Sequence, residues 1–570
     1  MTPNRFAQLA ATMAGMLCLA GAAVAQQVPN AGAILRQLTP QEPALPVPKA
    51  QAGHRSAAAA PAGPRIHVRG FRIEGNTLIG TAKIEHLLAG YLDRDLSPAD
   101  LQQATDLIAR LYEGAGWLAR ALVPPQRVED GVVLIQVIEG RFGEVVFAEG
   151  TDLTALHVSP QRIVDRVQDR LTPGQPLSVP DLTRGVLLAG DLPGISVSAD
   201  ETAGAGTGLT NVVLSVENQD LLSGQVSVDN FGQTSIGSER ATAWLDFNSV
   251  AGFGEELGVL GILTPDLQFG RFSARLPLND AGLSLDVNAA GLDYQVDAPR
   301  YRATAPYGSS TSAGADLEYQ WLRATDRNLS VGVTGLRKNF YNDDLGGVVS
   351  DYHVYDALVF MNGNEYDDFG GGAVSTAQVS VGHGWVRMAG SPGASADRFG
   401  ADTQGQFNVL RYRIDRNQRL WGPFSAFLAF AGQLSYQNLD PSEQFYLGGP
   451  AGVRAYPVAS NGGSTGQLLS VELRWAGLTR PACSCGLKLL YDLGHIRLNA
   501  NAGFPQAPQP NRYFLQGAGI GLYGTGPAGL AFSLTVVRKV GGDASAQIPD
   551  SGLTGARRDT RLWASLARQF

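Results

Sequence analysis

Leu283-Ser284-Leu285-Asp286-Val287-Asn288-Ala289 alternates apolar and polar side chains at every step. A strand points successive side chains to opposite faces, so this stretch has one oily face and one wet face. The pattern returns throughout the C-terminal part. Leu317, Tyr319 and Trp321 alternate with Asp316, Glu318 and Gln320. Phe424, Ala426, Leu428, Phe430 and Leu434 share one parity, and so do Leu530, Phe532, Leu534 and Val536. A lipid-facing barrel wall needs this period of two on strands of about 9–11 residues. From 221 to 570 there are about 16 such segments, roughly 22 residues per strand with its connection, and bacterial outer-membrane barrels take even strand numbers. A soluble β-sandwich is the rival reading, but the alternation runs on with no second apolar face to pack. The spacing predicts a 16-stranded transmembrane antiparallel β-barrel over residues 221–570.

Connections add an independent sign. Those after even strands are short, as at Leu278–Ala281, Ala324–Asp326 and Thr525–Pro527. Those after odd strands are longer, as at Asp297–Ser310, Arg387–Arg398, Val458–Thr465 and Asn499–Asn511. Short periplasmic turns and long outer loops are the expected asymmetry, and the short gap at Thr264–Asp266 departs from it.

Upstream the texture differs. Arg5, an apolar stretch from Leu9 to Ala22, and Ala23-Val24-Ala25 read as a secretory signal peptide over 1–25, cleaved after Ala25. Leu17 before Cys18 is not the small residue that lipoprotein processing needs. Residues 26–65 hold a short amphipathic helix, with Asn30 as N-cap, and a Pro/Ala-rich linker. Residues 66–140 then read as β-α-α-β-β. Phe71–Asn76 is a strand and turn, Thr81–Leu92 a helix, and Ser97-Pro98-Ala99-Asp100 opens a second helix with an N-cap and Pro at its first position. The order recurs over 141–220, with helices at Pro160–Leu171 and Ser178–Leu188.

The 570 residues carry a net charge of −8 and are 17% charged, without the Lys/Arg concentration that nucleic acid demands. Three cysteines build no disulfide framework, and Cys483 and Cys485 have no assigned role. Seven scattered histidines give no metal-ligand spacing. Gly519-Ile520-Gly521-Leu522-Tyr523-Gly524 matches a dinucleotide fingerprint but lies in a predicted barrel strand with no helix after it. No H-E-x-x-H or G-x-S-x-G occurs. The expectation is a protein that is not an enzyme and binds no cofactor or metal.

Between predicted strands eleven and twelve lies Gly448-Gly449-Pro450-Ala451-Gly452-Val453-Arg454-Ala455-Tyr456-Pro457. Gly and Pro let such a loop fold back sharply. An arginine folded into a barrel lumen seeks a carboxylate, and its planar fork favours a bidentate pair. Asp492, in Tyr491-Asp492-Leu493-Gly494, is one candidate; its facing is open from the sequence.

The units at 66–140 and 141–220, through Phe71–Asn76 and Leu111-Tyr112-Glu113-Gly114-Ala115-Gly116-Trp117, resemble paired POTRA domains. The loop resembles the lid-loop motif Gly-Gly-x-x-x-Val-Arg-Gly-Tyr/Phe of the BamA superfamily, with Ala455 in place of the last Gly. With two POTRA units and a 16-stranded barrel, nearly the whole mature chain resembles the two-partner secretion transporters, haemolysin secretion/activation proteins of the ShlB/FhaC/HecB type. The resemblance implies a lid loop at about 446–465 bearing Gly448, Gly449, Val453, Arg454 and Tyr456, with Arg454 paired to Asp492 and Gly494 completing the wall motif. The segment Asn30–Leu38 is short for the family's plug helix, which leaves open whether it enters the barrel. Phe570, with Leu562, Ala564 and Leu566 on its strand, resembles the C-terminal signal read by the barrel-assembly machinery.

The implied function is type Vb secretion. Periplasmic POTRA domains capture a large exported partner of the haemolysin or adhesin class, and a pore in the outer-membrane lipid passes it and in some members activates it. A barrel-assembly factor of the same superfamily and a passive porin are the alternatives.

Overall fold

The computed structural model describes residues 29–39 and 64–570, apart from 207, 298, 461, 481–482, 506 and 542–558. The segment read as a signal peptide and most of the Pro/Ala-rich linker lie outside the described residues. Helix α1 (Ala31–Leu38) begins at Asn30, whose side chain accepts from the Ala33 N–H at 2.9 Å.

The first POTRA unit contains β1 (Ile66–Val68), β2 (Gly70–Glu74), α2 (Thr81–Leu88), β3 (Arg94–Leu96), α3 (Pro98–Gly114), β4 (Ala119–Leu122) and β5 (Val132–Glu139). Strand β5 pairs in parallel with β2 and antiparallel with β4. Ile84, Leu88, Ile108, Tyr112 and Ile135 close the core beneath that sheet. The capping box at Ser97 and Asp100 starts α3 as its sequence predicts. The β1–β3 pair is an addition to the expected order, and at three residues each it leaves no period to read.

The second unit contains β6 (Arg141–Phe147), α4 (Pro160–Gln168), α5 (Val179–Gly190), β7 (Ile195–Ala203) and β8 (Leu209–Asn218). Helix α4 stops three residues short of the expected Leu171. Backbone bonds stitch the two units together: Leu118 N to Leu177 O (3.2 Å), Leu177 N to Gly140 O (2.9 Å) and Val179 N to Gly116 O (3.0 Å).

Sixteen antiparallel strands close the barrel, each paired with its chain neighbours. They are β9 (Leu222–Asp229), β10 (Arg240–Asn248), β11 (Glu256–Thr264), β12 (Leu267–Pro277), β13 (Leu283–Gln295), β14 (Tyr307–Arg323), β15 (Arg327–Asp344), β16 (Gly347–Asp367), β17 (Ala373–Arg387), β18 (Gly405–Arg419), β19 (Phe424–Leu434) and, after the hairpin strands β20 (Phe445–Tyr446) and β21 (Gly462–Gly463), β22 (Thr465–Arg480), β23 (Cys483–Arg497), β24 (Arg512–Thr525), β25 (Leu530–Lys539) and β26 (Thr560–Gln569). The alternating apolar sets fall on the outer wall, where Leu317, Trp321, Leu428, Leu434, Leu534 and Val536 are exposed to the bilayer. The gap at Thr264–Asp266 is a true tight outer turn, and a second joins β15 to β16. Cys483 and Cys485 are both free thiols at the start of β23.

The barrel is uneven. Strand β16 has 21 residues and β9 has eight. The ladder closing β26 on β9 pairs Ser565 opposite Asp229 through Gln569 opposite Gln225, and Asn230 continues it outward, its N–H bonding the Ala564 carbonyl at 3.2 Å. Phe570 extends it, exchanging backbone bonds with Gly224 at 2.9 and 3.0 Å.

The second POTRA unit is bound to the mouth formed by the even-strand turns. Arg323 on β14 grips Asp191 with Nε and Nη2, at 2.7 and 2.8 Å. Arg162 donates to the Pro277 carbonyl, Arg166 to that of Asn279, and Arg184 to those of Ala281 and Gln320. Asn279 and Ala281 lie in the turn after β12, Pro277 ends β12 and Gln320 lies near the end of β14, so the guanidinium donors meet carbonyls at the strand ends of this mouth.

Candidate functional site: the lid loop on the luminal wall

Helix α1 lies inside the barrel, which answers the question its short length left open. Ile34 and Leu35 pack among Leu292, Phe340, Tyr352 and Phe407, side chains on the luminal parity of β13, β15, β16 and β18. The Ala31 N–H donates to Asn342 Oδ1 at 2.9 Å, and the Tyr294 hydroxyl donates to the Pro29 carbonyl at 3.0 Å. On its other side runs the segment 435–445, whose buried Glu443 pairs with Lys338 and with Arg411 Nη2 (2.8 Å). Lys338 also holds Asp356 at 2.7 Å. Buried charges need such partners, because desolvation of an isolated one is too costly to sustain.

The loop between β19 and β22 folds back into the lumen. Gly449 has φ +102°, a conformation costly to any residue with a Cβ, and its N–H bonds Tyr456 O at 3.1 Å. Gly448 bridges Val453, and Val453 N bonds Leu447 O at 2.6 Å. This compact knot projects Arg454 onto the wall. The side chain of Asp492, fully buried, accepts from Arg454 backbone N–H, Nε and Nη2 at 3.0, 2.9 and 2.7 Å. Arg454 Nη1 donates to Glu472 on β22. Glu472 in turn is held by Arg474 at 2.7 Å and approached by Lys488 at 3.6 Å. The result is a charge-dense patch of two carboxylates and three cations on the inner face of β22 and β23.

Apolar packing completes the dock. Leu447, Val453, Ala455 and Tyr456 are buried against Leu490, Leu515 and Val537. A Cβ at Gly494 would lie 2.8 Å from Leu447 Cδ2 and Val453 Cγ2, so this glycine exists to let the loop approach. A Cβ at Gly517 would lie 2.7 Å from Ala455 Cβ. The wall is bare where the loop carries alanine in place of the motif's last glycine. Tyr456 is buried, with Lys539 Nζ 5.0 Å from its ring centroid.

Glu472, Arg474, Lys488, Gly517 and Trp563 are participants that the sequence reading does not name. Glu472 carries a visible signal, a carboxylate on the polar parity of the strand after the loop. Trp563 on β26 donates from Nε1 to the Arg454 carbonyl at 2.7 Å and stacks edge-on with Phe231 at 6.0 Å; nothing in its local sequence announces it. Lys488 is equally silent. Phe570 stands at the barrel closure with its ring half-exposed. Among the described residues no group of three or more His, Cys, Asp or Glu is placed to hold a metal ion.

A sixteen-strand barrel with two POTRA units at one mouth and an arginine-tipped loop docked on its inner wall defines an outer-membrane transporter of the BamA superfamily. The family model described as haemolysin secretion/activation protein ShlB/FhaC/HecB matches residues 208–524, and a ShlB-type POTRA domain model matches 66–140. The chain belongs to the haemolysin secretion/activation family. It is 23% identical over 501 residues to the heme/hemopexin transporter protein HuxB of Haemophilus influenzae, covering 87% of this chain and 85% of that protein. It is 25% identical over 429 residues to the outer membrane transporter CdiB of Escherichia coli, covering 74% and 70%. The solved structure of CdiB from Escherichia coli superposes with a TM-score of 0.68 at 20% identity, covering 100% of this chain and 99% of that one. The protein is therefore a two-partner secretion transporter of the outer membrane, with its POTRA units in the periplasm.

Proposed function

We propose that the periplasmic units capture one large, still unfolded exoprotein of the haemolysin or adhesin class and that the barrel passes it outward, with no catalytic step in the chain. Strands β2, β4 and β7 stand at sheet edges that an extended segment can extend, the usual means of adding a strand to a sheet. HuxB is by its name a heme/hemopexin transporter and CdiB an outer membrane transporter, and transport across the outer membrane is the activity proposed here too. The lid loop stabilises one state of the conduit through Gly448, Gly449, Val453, Arg454 and Tyr456 against Asp492 and Gly494. Phe570 serves recognition by the barrel-assembly machinery, and the outer wall contacts outer-membrane lipid. The units divide as 26–65, 66–140, 141–220 and 221–570.

The observation that carries this reading is the buried Arg454–Asp492–Glu472 cluster, whose desolvated charges are held by the loop and the wall jointly. Arg454→Ala should sharply reduce the partner in the culture supernatant while the barrel still reaches the outer membrane in heat-modifiable form. Normal secretion by that variant would remove the lid loop from the mechanism.

A further inference from the structure

The outer wall of β15, β16 and β17 changes character abruptly along its height. Val333, Val359 and Val381 expose 49%, 62% and 59% of their surface to the bilayer. Two rungs further from the periplasm on the same face, Arg337, Tyr355 and Trp385 stand in register, and Arg387 lies opposite His353 one rung beyond. Both arginines are exposed, and the guanidinium carbon of each lies 5.5 Å from the Tyr355 ring centroid. They reach that ring from the strands on its two sides, so the two cations stand no more than twice that distance apart.

Two like charges held this close on a lipid-facing wall need an anion, and no carboxylate among the described residues is paired with them. Arg337 Nε donates to Asn339 Oδ1 at 3.1 Å. No ion pair joins Arg337 or Arg387 to an Asp or Glu among the described residues. Asp356, adjacent in register, faces the lumen and pairs with Lys338, and Asp351, on the outer parity, lies two residues beyond His353 towards the outer turn. Arg416, also on the outer parity but near the periplasmic edge, is by contrast gripped by Asp367 at 2.7 and 3.0 Å.

Depth identifies the missing partner. From Leu329, level with the exposed periplasmic Trp321, to Arg337 is about 27 Å along the strand, or about 20 Å along the membrane normal at ~40° tilt. An apolar band about 25 Å tall puts the guanidinium, reaching outward on its stem, at the outer head-group level. Tyr355 and Trp385 at the same height are what an interfacial aromatic belt supplies.

We propose that Arg337 and Arg387, braced on Tyr355, bind one phosphate group of an outer-leaflet lipid. The planar forks suit phosphate oxygens, and stacking on tyrosine orders them in advance. The site lies on strands seven to nine of sixteen, across the barrel from the β26–β9 closure. It fixes the tall wall in the leaflet while leaving the closure free of the attachment.

The full-length protein in detergent, examined by native mass spectrometry with added lipid A, tests this. Each of Arg337→Ala and Arg387→Ala should weaken lipid A retention about fivefold, and the double variant about twenty-five-fold. Dephosphorylated lipid A should bind wild type no better than it binds the double variant. Equal retention of lipid A by wild type and double variant would overturn the proposal, as would equal binding of the dephosphorylated lipid by wild type. Inorganic phosphate binding at the same arginines as tightly as lipid A would also refute the lipid as source. Arg337→Lys/Arg387→Lys should recover part of the retention, and heat-modifiable migration checks that every variant keeps its barrel. Secretion is assayed separately, so a failure here leaves the lid-loop reading standing.

Discussion

Replacing Arg454 by alanine removes Nε and Nη2 from Asp492, leaving that fully buried carboxylate with only the backbone N–H of residue 454. Glu472 suffers less, because Arg474 and Lys488 remain beside it. Stranding one partner of a buried ion pair costs about 3–5 kcal/mol, and here that cost falls on Asp492 alone. Asp492→Asn is milder, since Arg454 keeps Glu472; losing one charged acceptor costs about 1.5–3 kcal/mol. The double variant has no stranded carboxylate, so its loss should fall short of the sum of the singles by about 2 kcal/mol, within the range of coupled neighbours. Urea unfolding of the four proteins in lipid vesicles measures the cycle. Additivity within about 0.5 kcal/mol would mean that Arg454 and Asp492 share no energy, and the docking account would fall with it.

Other expectations follow from separate parts of the molecule. In the first POTRA unit burial alone would raise the Glu139 pKa, but hydrogen bonds from Thr77, Leu78 and Tyr112 outweigh it and hold the carboxyl below its usual range. Its stabilisation is therefore present above the unfolded value of about 4.3 and lost as pH falls through the lower folded value. Limited proteolysis of this unit should accelerate across that acid window, and Glu139→Gln should show the faster cleavage already at neutral pH. Tyr112→Phe, which removes the 2.8 Å bond to Glu139 Oε1, should cost about 1.5–3 kcal/mol in the same unit, and unchanged protection would count against the network. Asp191→Arg and Arg323→Asp should each loosen the second POTRA unit from the barrel mouth, seen as a broadened distance in spin-label measurements, and the two together should narrow it again. Gly517→Ala should push the loop off the wall at a cost of about 1–3 kcal/mol from overpacking, with the barrel still folded, whereas Gly517→Ala combined with Ala455→Gly should recover most of it in the same vesicle assay.

Period-two alternation was legible because the bilayer and the lumen impose opposite solvents on the two faces of every strand. That is why Leu283, Leu428 and Val536 could be set on one wall without knowing their neighbours. The POTRA helices were readable from their own caps and stripes, as at Ser97 and Asp100. Pairings across many residues were not. Whether Asp492 faced inward depended on its register with β22, and Trp563 meets the loop only because the barrel closes on itself. Arg162, Arg166 and Arg184 look like the polar side of ordinary amphipathic helices; the barrel carbonyls they reach lie in turns and strand ends more than ninety residues away. Helix α1 carries an apolar stripe that states a need for burial but names no partner, and its site inside the barrel emerges from Tyr294 and Asn342.

The difference in height between β9 and β16 makes the protein an uneven collar for the bilayer. Eight residues of β9, tilted at ~40°, rise about 20 Å, less than the roughly 25 Å apolar band such barrels present, while the wall at β16 overtops it. Lipid chains beside the β26–β9 closure must shorten or splay to meet that rim, at a cost of fractions of a kcal/mol per ångström of misfit. The surrounding bilayer is thus compressed on the flank of the closure, and the shortest ladder of the barrel faces its thinnest patch.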